Sequence, residues 1–511
     1  MIYGSVIYAR NQSPVPVFLS GKAMHSKYNP QNEALSFAKG IREQFLIAGG
    51  IGAGYHIGAY LDLNPGAKVI AVEADEESLE FCKRMPEVRD LALRHGVHVC
   101  TVDEVREVIK REYIPSLHGN LTLGFNRVWE EEAPAAAEEL SRKVREAVKD
   151  ISADFSVQTH FGKIWQRNIL LNILGIEEKR MPHLDTGKTA AIIAAGPTLD
   201  ESIRTLIRDR DSYVVISTDT AYRALREYGV RSDVVVSVDA QCVSGEHFFC
   251  VSESNALASH SPLFVLDTSA SRSAVKSATQ TGAGIFFFTG PHPLSALACG
   301  GTAVPGLEAG GGTVTIAACD FARLAGFKRM ELFGADFCYN GGKAYARGTY
   351  LDTRLGMGAC RTSPAETSFA AMMFRTEIYA PENPPEFSPS AKSPLTSPVL
   401  ERYGSSLLKW CGDYGFSRSE QKRNLIKKDA EEHVPEKTKQ IRSPKDNVRN
   451  FLRRAESLAA EECRELPPDA ELFPVLPYVA WLRKSADGDA GIFKLLKLAY
   501  SHAVRYNQLY L

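Results

Sequence analysis

The sequence predicts an α/β protein: two successive Rossmann-like units with mostly parallel sheets, followed by a helical C-terminal region. Three observations carry this reading. Two glycine-containing turns, at 49–54 and 194–200, each follow a short apolar run and precede a helix-sized stretch. Between residues 189 and 290 the runs AAIIAAG, YVVIST, DVVVSVD, PLFVLDT and IFFFTG are continuously apolar, as strands covered on both faces of a parallel sheet must be. Beyond a proline-rich stretch at 381–398 the pattern turns helical.

Residues 1–150 form the first unit. Phe45–Ala48 enters a glycine turn, a helix-sized segment follows, and Val69–Val72 is the next strand, which together make a βαβ unit. Glu130–Asp150 is charged with an alanine-rich face and reads as an exposed helix. Residues 151–180 read as a helical connector, because Phe161, Trp165, Ile169, Ile173 and Leu174 recur at helical spacing as packing positions. Residues 181–380 are the second unit, with RMELFGAD as its last strand after the helix-like Val314–Leu324. Residues 381–399 are a linker or long surface loop, since proline is excluded from helix interiors and central strands. Residues 400–511 read as helices, of which DNVRNFLRRAESLAAEE is the clearest amphipathic one.

A chain of 511 residues exceeds one ordinary core, and about two to four domains are expected. The composition, 44% hydrophobic and 24% charged, is that of a globular protein, and 60 Lys plus Arg against 61 Asp plus Glu gives no overall attraction to nucleic acid or anionic membrane. The ten cysteines contain no CxxC pair and no zinc-like cluster, which predicts a reduced, cytoplasmic protein. The opening MIYGSVIYARNQSPVPV lacks the pattern of a secretory signal, and no apolar stretch reaches the roughly 20 residues of a membrane span.

The chemistry is expected at the glycine turns and at acids on strand ends. In the first turn, Gly50, Gly52 and Gly54 permit close approach of a ligand to a helix N-terminus, and Glu73 closes the next strand where an acid commonly binds a ribose diol. LIAGGIGAGYHIGAYL followed by VIAVEAD resembles the S-adenosylmethionine site of Rossmann methyltransferases, which makes this a second cofactor site; a scaffold that binds nothing is the alternative. In the second turn, Gly196 permits close backbone approach, Pro197 and Thr198 follow, and Thr198 or Asp200 can cap the helix that begins near Leu199. Asp219 and Asp239 end the next two strands, on the sheet edge where open α/β folds bind ligands, and are suited to ribose, a base or a divalent ion. Gly311, Gly312 and Thr313 open another helix with a phosphate-sized cradle, and Asp336 ends the last strand.

Taken together, GPTLD, STDTAYRALREYGVRSDVVVSVD, GGGTV and LFGADFCYNGGKAYARG resemble the bacterial motility accessory factor family of flagellin glycosyltransferases. HSKYNPQNEA, IAGGIGAGYH and WQRNILLNI extend the resemblance over most of residues 20–360. The same core is similar to bacterial sialyltransferases that use CMP-activated sugars and to archaeal 6-hydroxymethylpterin diphosphokinase. The resemblance implies that Gly196, Pro197 and Thr198 lie against nucleotide phosphate or ribose, with Asp219 and Asp239 lining the same cleft. It further implies that Gly311, Gly312 and Thr313 hold phosphate from the other side, and that Asp336 faces the donor or acceptor sugar. Asp239 and Asp336 are the candidate catalytic residues. The sialyltransferases carry a catalytic histidine after this last strand, yet 340–380 contains none, Tyr345 stands where many motility accessory factors have a histidine, and His292 is not matched by motif. The general base is therefore unassigned.

Three functions follow from the resemblance. The first is transfer of a nonulosonic-acid-type sugar from a CMP donor to Ser or Thr of flagellin, which requires no cofactor. The second is diphosphate transfer from ATP to a pterin, with Mg2+ held by Asp219 and Asp239. The third is a non-catalytic flagellin assembly partner.

Overall fold

The computed structural model describes residues 1–176, 182–248, 261–383, 386–387, 391–418, 425–428, 442–461, 465–485 and 490–510. The chain forms two compact units: Met1–Gly162 with Leu476–Leu496, and Lys163–Val475 with Lys497–Leu511. The C-terminal region is thus shared between the two units instead of standing as its own domain after residue 400. The boundary expected near residue 150 falls inside one helix, Pro134–Ile173, of 40 residues. No helix among the described residues is long and apolar enough to cross a membrane.

The first unit opens with an antiparallel hairpin, β1 (Tyr3–Tyr8) and β2 (Pro14–Phe18). Its parallel sheet contains β3 (Phe45–Gly49), β4 (Lys68–Glu73), β5 (Val97–Thr101) and β6 (Leu121–Phe125) in the order β5-β4-β3-β6. Every residue of β3 is buried, as expected for a central strand. The stretch read as an exposed helix from Glu130 is two helices, Arg127–Glu132 and the start of the long helix. Its Leu140, Val144 and Ala147 join the core, so one face is covered.

Among the described residues of this unit, two histidines are buried without a carboxylate partner. His56 is 3% exposed, and the Phe37 ring lies edge-on to it at 5.0 Å. Burial pushes it down to about 4, with a backbone contact to Gly50 opposing. His25 is held well below its ordinary value by burial and by nearby His56.

The second unit contains β7 (Thr189–Ile193), β8 (Tyr213–Thr218), β9 (Val234–Ser237), β10 (Leu263–Asp267), β11 (Ile285–Phe288) and β12 (Arg329–Phe333), all parallel. The order is β11-β10-β9-β8-β7-β12, extended by β14 (Leu425–Lys428) and β13 (Phe416–Arg418). Alternate residues of β7 and the two that follow it enter opposite cores: Ala190, Ile192 and Ala194 on one face, Ala191, Ile193 and Ala195 on the other. The last two strands were not expected in a C-terminal region read as helical. They are short, and antiparallel pairing onto β12 holds them.

The proline-rich stretch at 381–399 also differs from a linker. Residues 384–385 and 388–390 lie outside the described residues, but Phe387 is in the core of the second unit. Leu395 and Thr396 make bridges to Tyr339 and Tyr379. The long helix enters this unit through WQRNILLNI. Asn168 donates to the carbonyls of Ala240 and Ser269, each at 3.1 Å, and Asn172 to those of Thr268 and Ala270, each at 2.9 Å. Arg272 in turn donates to Asn172 Oδ1 at 2.7 Å. The two amides hold in place the loops that follow β9 and β10.

Asn172→Leu leaves these buried groups unsatisfied and is expected to cost about 2–4 kcal/mol, read as a lowered urea midpoint; a loss under about 0.5 kcal/mol would show that the amide does not hold the loops. The histidines give a pH dependence. Unfolded His56 takes up a proton near its ordinary value while the folded ring resists until about 4. Its contribution to stability is therefore whole above about pH 6.5 and shrinks as pH falls toward about 4, by ~3 kcal/mol at most. Melting temperatures of wild type and His56→Phe between pH 7.5 and 4.5 read this out, and parallel curves would refute it.

Candidate functional site

The first glycine turn adopts the strained backbone that its sequence anticipates: φ is 84° at Gly50, 54° at Gly52 and 77° at Gly54. The space over the turn, however, belongs to the chain itself. A Cβ on Gly50 would collide with the Trp129 ring, and one on Gly52 would lie 2.7 Å from both His25 Nε2 and Met24 Cγ. Glu73 is fully buried. It accepts hydrogen bonds from Trp129 Nε1 at 2.6 Å, Ala74 N at 3.0 Å, Ile51 N at 3.1 Å and Tyr3 Oη at 3.2 Å. Burial pushes its carboxyl up while these donors pull it down. The expectation that Glu73 faces a ribose is corrected accordingly, because its oxygens are spent on holding Trp129 in the crevice between β3 and β6.

At the corresponding edge of the second unit the chain leaves β7 through Ala194–Thr198. Gly196 N donates to Gly334 O at 2.8 Å, and a Cβ there would stand 2.5 Å from Gly334 O and 2.6 Å from Asp336 Oδ2. The close approach that demands glycine is to this chain's own turn after β12. Asp336 is buried; Thr198 N donates to its Oδ2 at 2.8 Å, and the Thr198 hydroxyl donates to its Oδ1. Thr198 therefore does not cap the helix Leu199–Arg208 with its side chain. Pro197 is buried, with its carbonyl accepting from Asp200 N at 3.2 Å. Asp200 accepts from Tyr228 Oη and Arg347 N, with Lys343 Nζ 3.6 Å away. Asp336 is thus a positioning residue for the turn, and its two oxygens are engaged where a base needs one open.

Asp219 is the first residue of the helix Asp219–Glu227 and is 2% exposed. Ser237 Oγ donates to its Oδ2 at 2.6 Å and Thr220 N to its Oδ1 at 2.7 Å. Asp239 is half-buried and accepts from Gln241 N at 3.0 Å and Ser244 Oγ at 2.8 Å. The segment after β12, which runs into the helix Tyr350–Gly356, brings tyrosines near these acids. Burial pushes Tyr345 up to about 12, and Tyr350, Tyr339, Tyr403 and Asp219 add to it. Tyr350 is raised by burial, opposed by Arg354, and raised further by Glu246, Asp239 and Asp219. The expected pair of acids therefore shares one electrostatic neighbourhood with Tyr345 and with Tyr350 and Glu246, which no motif singled out.

The GGGT turn lies on this same edge. Gly312 has φ of 78° and stands against the Tyr403 ring, 2.7 Å from a would-be Cβ. Thr313 caps the helix Val314–Leu324, accepting from Thr315 N at 3.3 Å. The amides of Gly311, Gly312 and Thr313 make no hydrogen bond among the described residues, and Gly312 is exposed. Unlike the amides of the GPT turn, these are open to an anion.

Four further groups at this edge escaped the sequence reading. Arg223, one helical turn beyond Asp219, is 8% exposed and its Nε makes no hydrogen bond. His247 and Tyr350 meet edge to face at 4.4 Å. Asp267, at the end of β10, accepts from Ser269 N at 2.6 Å and is pushed up to about 6 by burial. Asp267 had the same strand-end signal as Asp239, whereas Arg223 and Tyr350 lie on helices and His247 on a 3-10 turn, where sequence carries no such signal. Asp219 and Asp239 have no third ligand: no group of three or more His, Cys, Asp or Glu that could hold a metal occurs among the described residues.

Residues 167–342 match a family model described as MptE-like, 6-hydroxymethylpterin diphosphokinase MptE-like. An uncharacterized protein of Treponema pallidum (strain Nichols) is 34% identical over 152 residues, covering 29% of this chain and 72% of that protein. A second from the same organism is 42% identical over 112 residues, 22% of this chain and 40% of that protein. The solved structure of MAf glycosyltransferase from Magnetospirillum magneticum AMB-1 superposes with a TM-score of 0.51 at 13% identity, covering 99% of this chain and 91% of that chain. The chain belongs to the family of the first Treponema pallidum protein, and it has the α/β fold of the MAf glycosyltransferase built around an MptE-like segment.

Proposed function

We propose that the second unit transfers a nonulosonic-acid-type sugar from a CMP-activated donor to a Ser or Thr hydroxyl of flagellin in the cytoplasm. The observation that carries this reading is the open GGGT turn beside Tyr403, in one neighbourhood with Asp219 and Asp239, on a glycosyltransferase-like fold. Sugar transfer from a nucleotide asks the protein for little covalent chemistry. It must stabilise the phosphate that leaves and orient the hydroxyl that attacks. The amides of Gly311, Gly312 and Thr313, at the N-terminus of an 11-residue helix, suit the leaving phosphate. Asp219 and Asp239 suit ribose or sugar hydroxyls, and the phenol rings suit a base or sugar face. Gly196 and Pro197 form the wall of the cleft, kept in place by Asp336 through Thr198.

The family-model match favours one other reading, diphosphate transfer from ATP to a pterin. Mg2+ would then be held by Asp219 and Asp239, with the remaining positions filled by phosphate oxygens and water, which is how this ion is commonly bound. When bound it would neutralise phosphate charge. Magnesium-dependent ATP consumption with 6-hydroxymethylpterin separates this reading from the first.

In calorimetry on the full chain, CMP should bind in preference to UMP and AMP; equal binding of all three would remove the cytidine reading. Gly312→Ala places a side chain at positive φ against Tyr403, so CMP affinity should fall about tenfold or more. Unchanged affinity in the folded variant would move the phosphate elsewhere. Asp239→Asn keeps an acceptor for Gln241 N or Ser244 Oγ, so melting should shift little while CMP release from a CMP-sialic-acid donor drops by about 100-fold. Proportionate loss of stability and activity would mark Asp239 as structural.

A further inference from the structure

One cationic side chain in the second unit has no anion to neutralise it among the described residues. Arg223 lies on the helix Asp219–Glu227, which starts where β8 ends. It is 8% exposed, and its Nε is shielded from solvent without a hydrogen-bond partner. Its two terminal nitrogens make no hydrogen bond or ion pair either, yet unlike Nε they reach solvent. Asp219 and Glu227, each about one helical turn away, form no ion pair with it. By contrast, Arg210 is paired with Asp233 at 2.9 Å and Arg323 with Asp320 at 2.7 Å. A guanidinium does not shed its charge on burial, and a buried charge without a partner is costly.

Helix geometry sets where this charge points. A long side chain on a helix leans toward the helix N-terminus. Arg223 therefore leans toward Asp219 and the strand ends, where Ser237 donates to Asp219 Oδ2 at 2.6 Å. Two elements flank the helix on either side of it. Gly348 packs on one side, where a Cβ would lie 3.2 Å from Glu227 Cβ and 3.3 Å from Ala224 Cα. The 3-10 turn Cys242–Phe248 packs on the other, with the Tyr222 and Phe248 rings 6.3 Å apart. The two flanks meet through the rings of His247 and Tyr350, 4.4 Å apart and edge to face. Arg223 lies between these flanks on the helix surface, so its terminal nitrogens stand in a walled recess. The acids of this edge have donors of their own: Ser237 and Thr220 for Asp219, Gln241 and Ser244 for Asp239. The arginine is the group that the fold leaves unsatisfied.

We propose that Arg223 binds the negatively charged group of the substrate, a carboxylate or a phosphate, through its two terminal nitrogens. The proposal rests on the reading above that the second unit takes a nucleotide-linked sugar acid. The planar guanidinium fork matches two oxygens of either group, and such bonds are charge-assisted. Asp219 and Asp239, as acceptors, suit hydroxyls. An arginine beside two acids of this kind fits a polyhydroxylated anion, and a nonulosonic-acid donor is one, with a phosphate and a sugar carboxylate on the same molecule. Arg223 is unpaired within the fold at a cost in stability, and the ligand's charge offsets that cost on binding.

The test compares wild type with Arg223→Met in the full chain, since methionine keeps much of the apolar stem and removes the charge. Without ligand, the variant should melt at or above the wild-type temperature, because an unpaired buried charge is gone. In calorimetry it should bind CMP-N-acetylneuraminate about 10- to 100-fold more weakly than wild type does. Loss of CMP affinity by the same factor assigns Arg223 to the phosphate, whereas CMP affinity within about twofold of wild type assigns it to the carboxylate, and either result supports the anion subsite. Unchanged affinity for both ligands overturns the subsite alone. So does a variant that melts several degrees lower or fails to fold, which would make Arg223 a structural residue. If wild type binds neither ligand, the transfer reading itself falls and takes the subsite with it.

Discussion

The bond set between Asp336 and the turn at Thr198 is the constraint on which the second unit's edge depends. β7 and β12 are adjacent parallel strands, and their neighbours lie in opposite directions, so the loops that follow them part at this point. Both carboxylate oxygens accept from Thr198, and Gly196 N pairs with Gly334 O. Without a Cβ at Gly196 the two loops close onto each other. The chain after Asp336 then turns through Phe337, a non-glycine residue at φ of 48°, and returns over the sheet edge with its tyrosines. An acid expected to meet a sugar instead holds the turn at Thr198.

Both units have a glycine turn at their switch point, and they use it in opposite ways. In the first unit the crevice beside the turn is filled by Trp129, whose indole donates to Glu73, with Met24 and His25 closing the other side. The buried acid and the indole satisfy each other, which makes the arrangement a packed polar core. In the second unit the equivalent turn is closed by Asp336, and the open amides come from the GGGT turn at a different helix. The same residue types thus give a sealed core in one unit and an exposed anion-sized cradle in the other.

The acids at the ends of β8 and β9 are held by hydroxyls and amides of their own loops, Ser237 to Asp219 and Ser244 to Asp239. Such bonds orient the carboxylates while leaving lone pairs for a ligand. Asn168 and Asn172 act one layer further out, because they hold the backbone of the loop that carries Asp239 and of the loop that follows Asp267. The long helix that carries these two amides therefore sets the edge as firmly as the sheet does.

Much of the architecture was legible in the residues themselves. Continuously apolar strands such as β7 have no polar face to show, so the pattern alone demands helices on both sides. Gly326, at φ of 97° just past the helix Val314–Leu324, marks its end, as glycine commonly does. Acids at strand ends identified the edge where Asp219 and Asp239 gather. Sequence could not show what occupies the space above a glycine, because a missing Cβ reads the same whether Trp129, Asp336 or a phosphate stands there. Nor could it show that His247 meets Tyr350 across 103 positions, or that the tail after residue 400 adds two strands to the central sheet. Those outcomes depend on contacts between residues far apart in the chain, and only tertiary packing decides them.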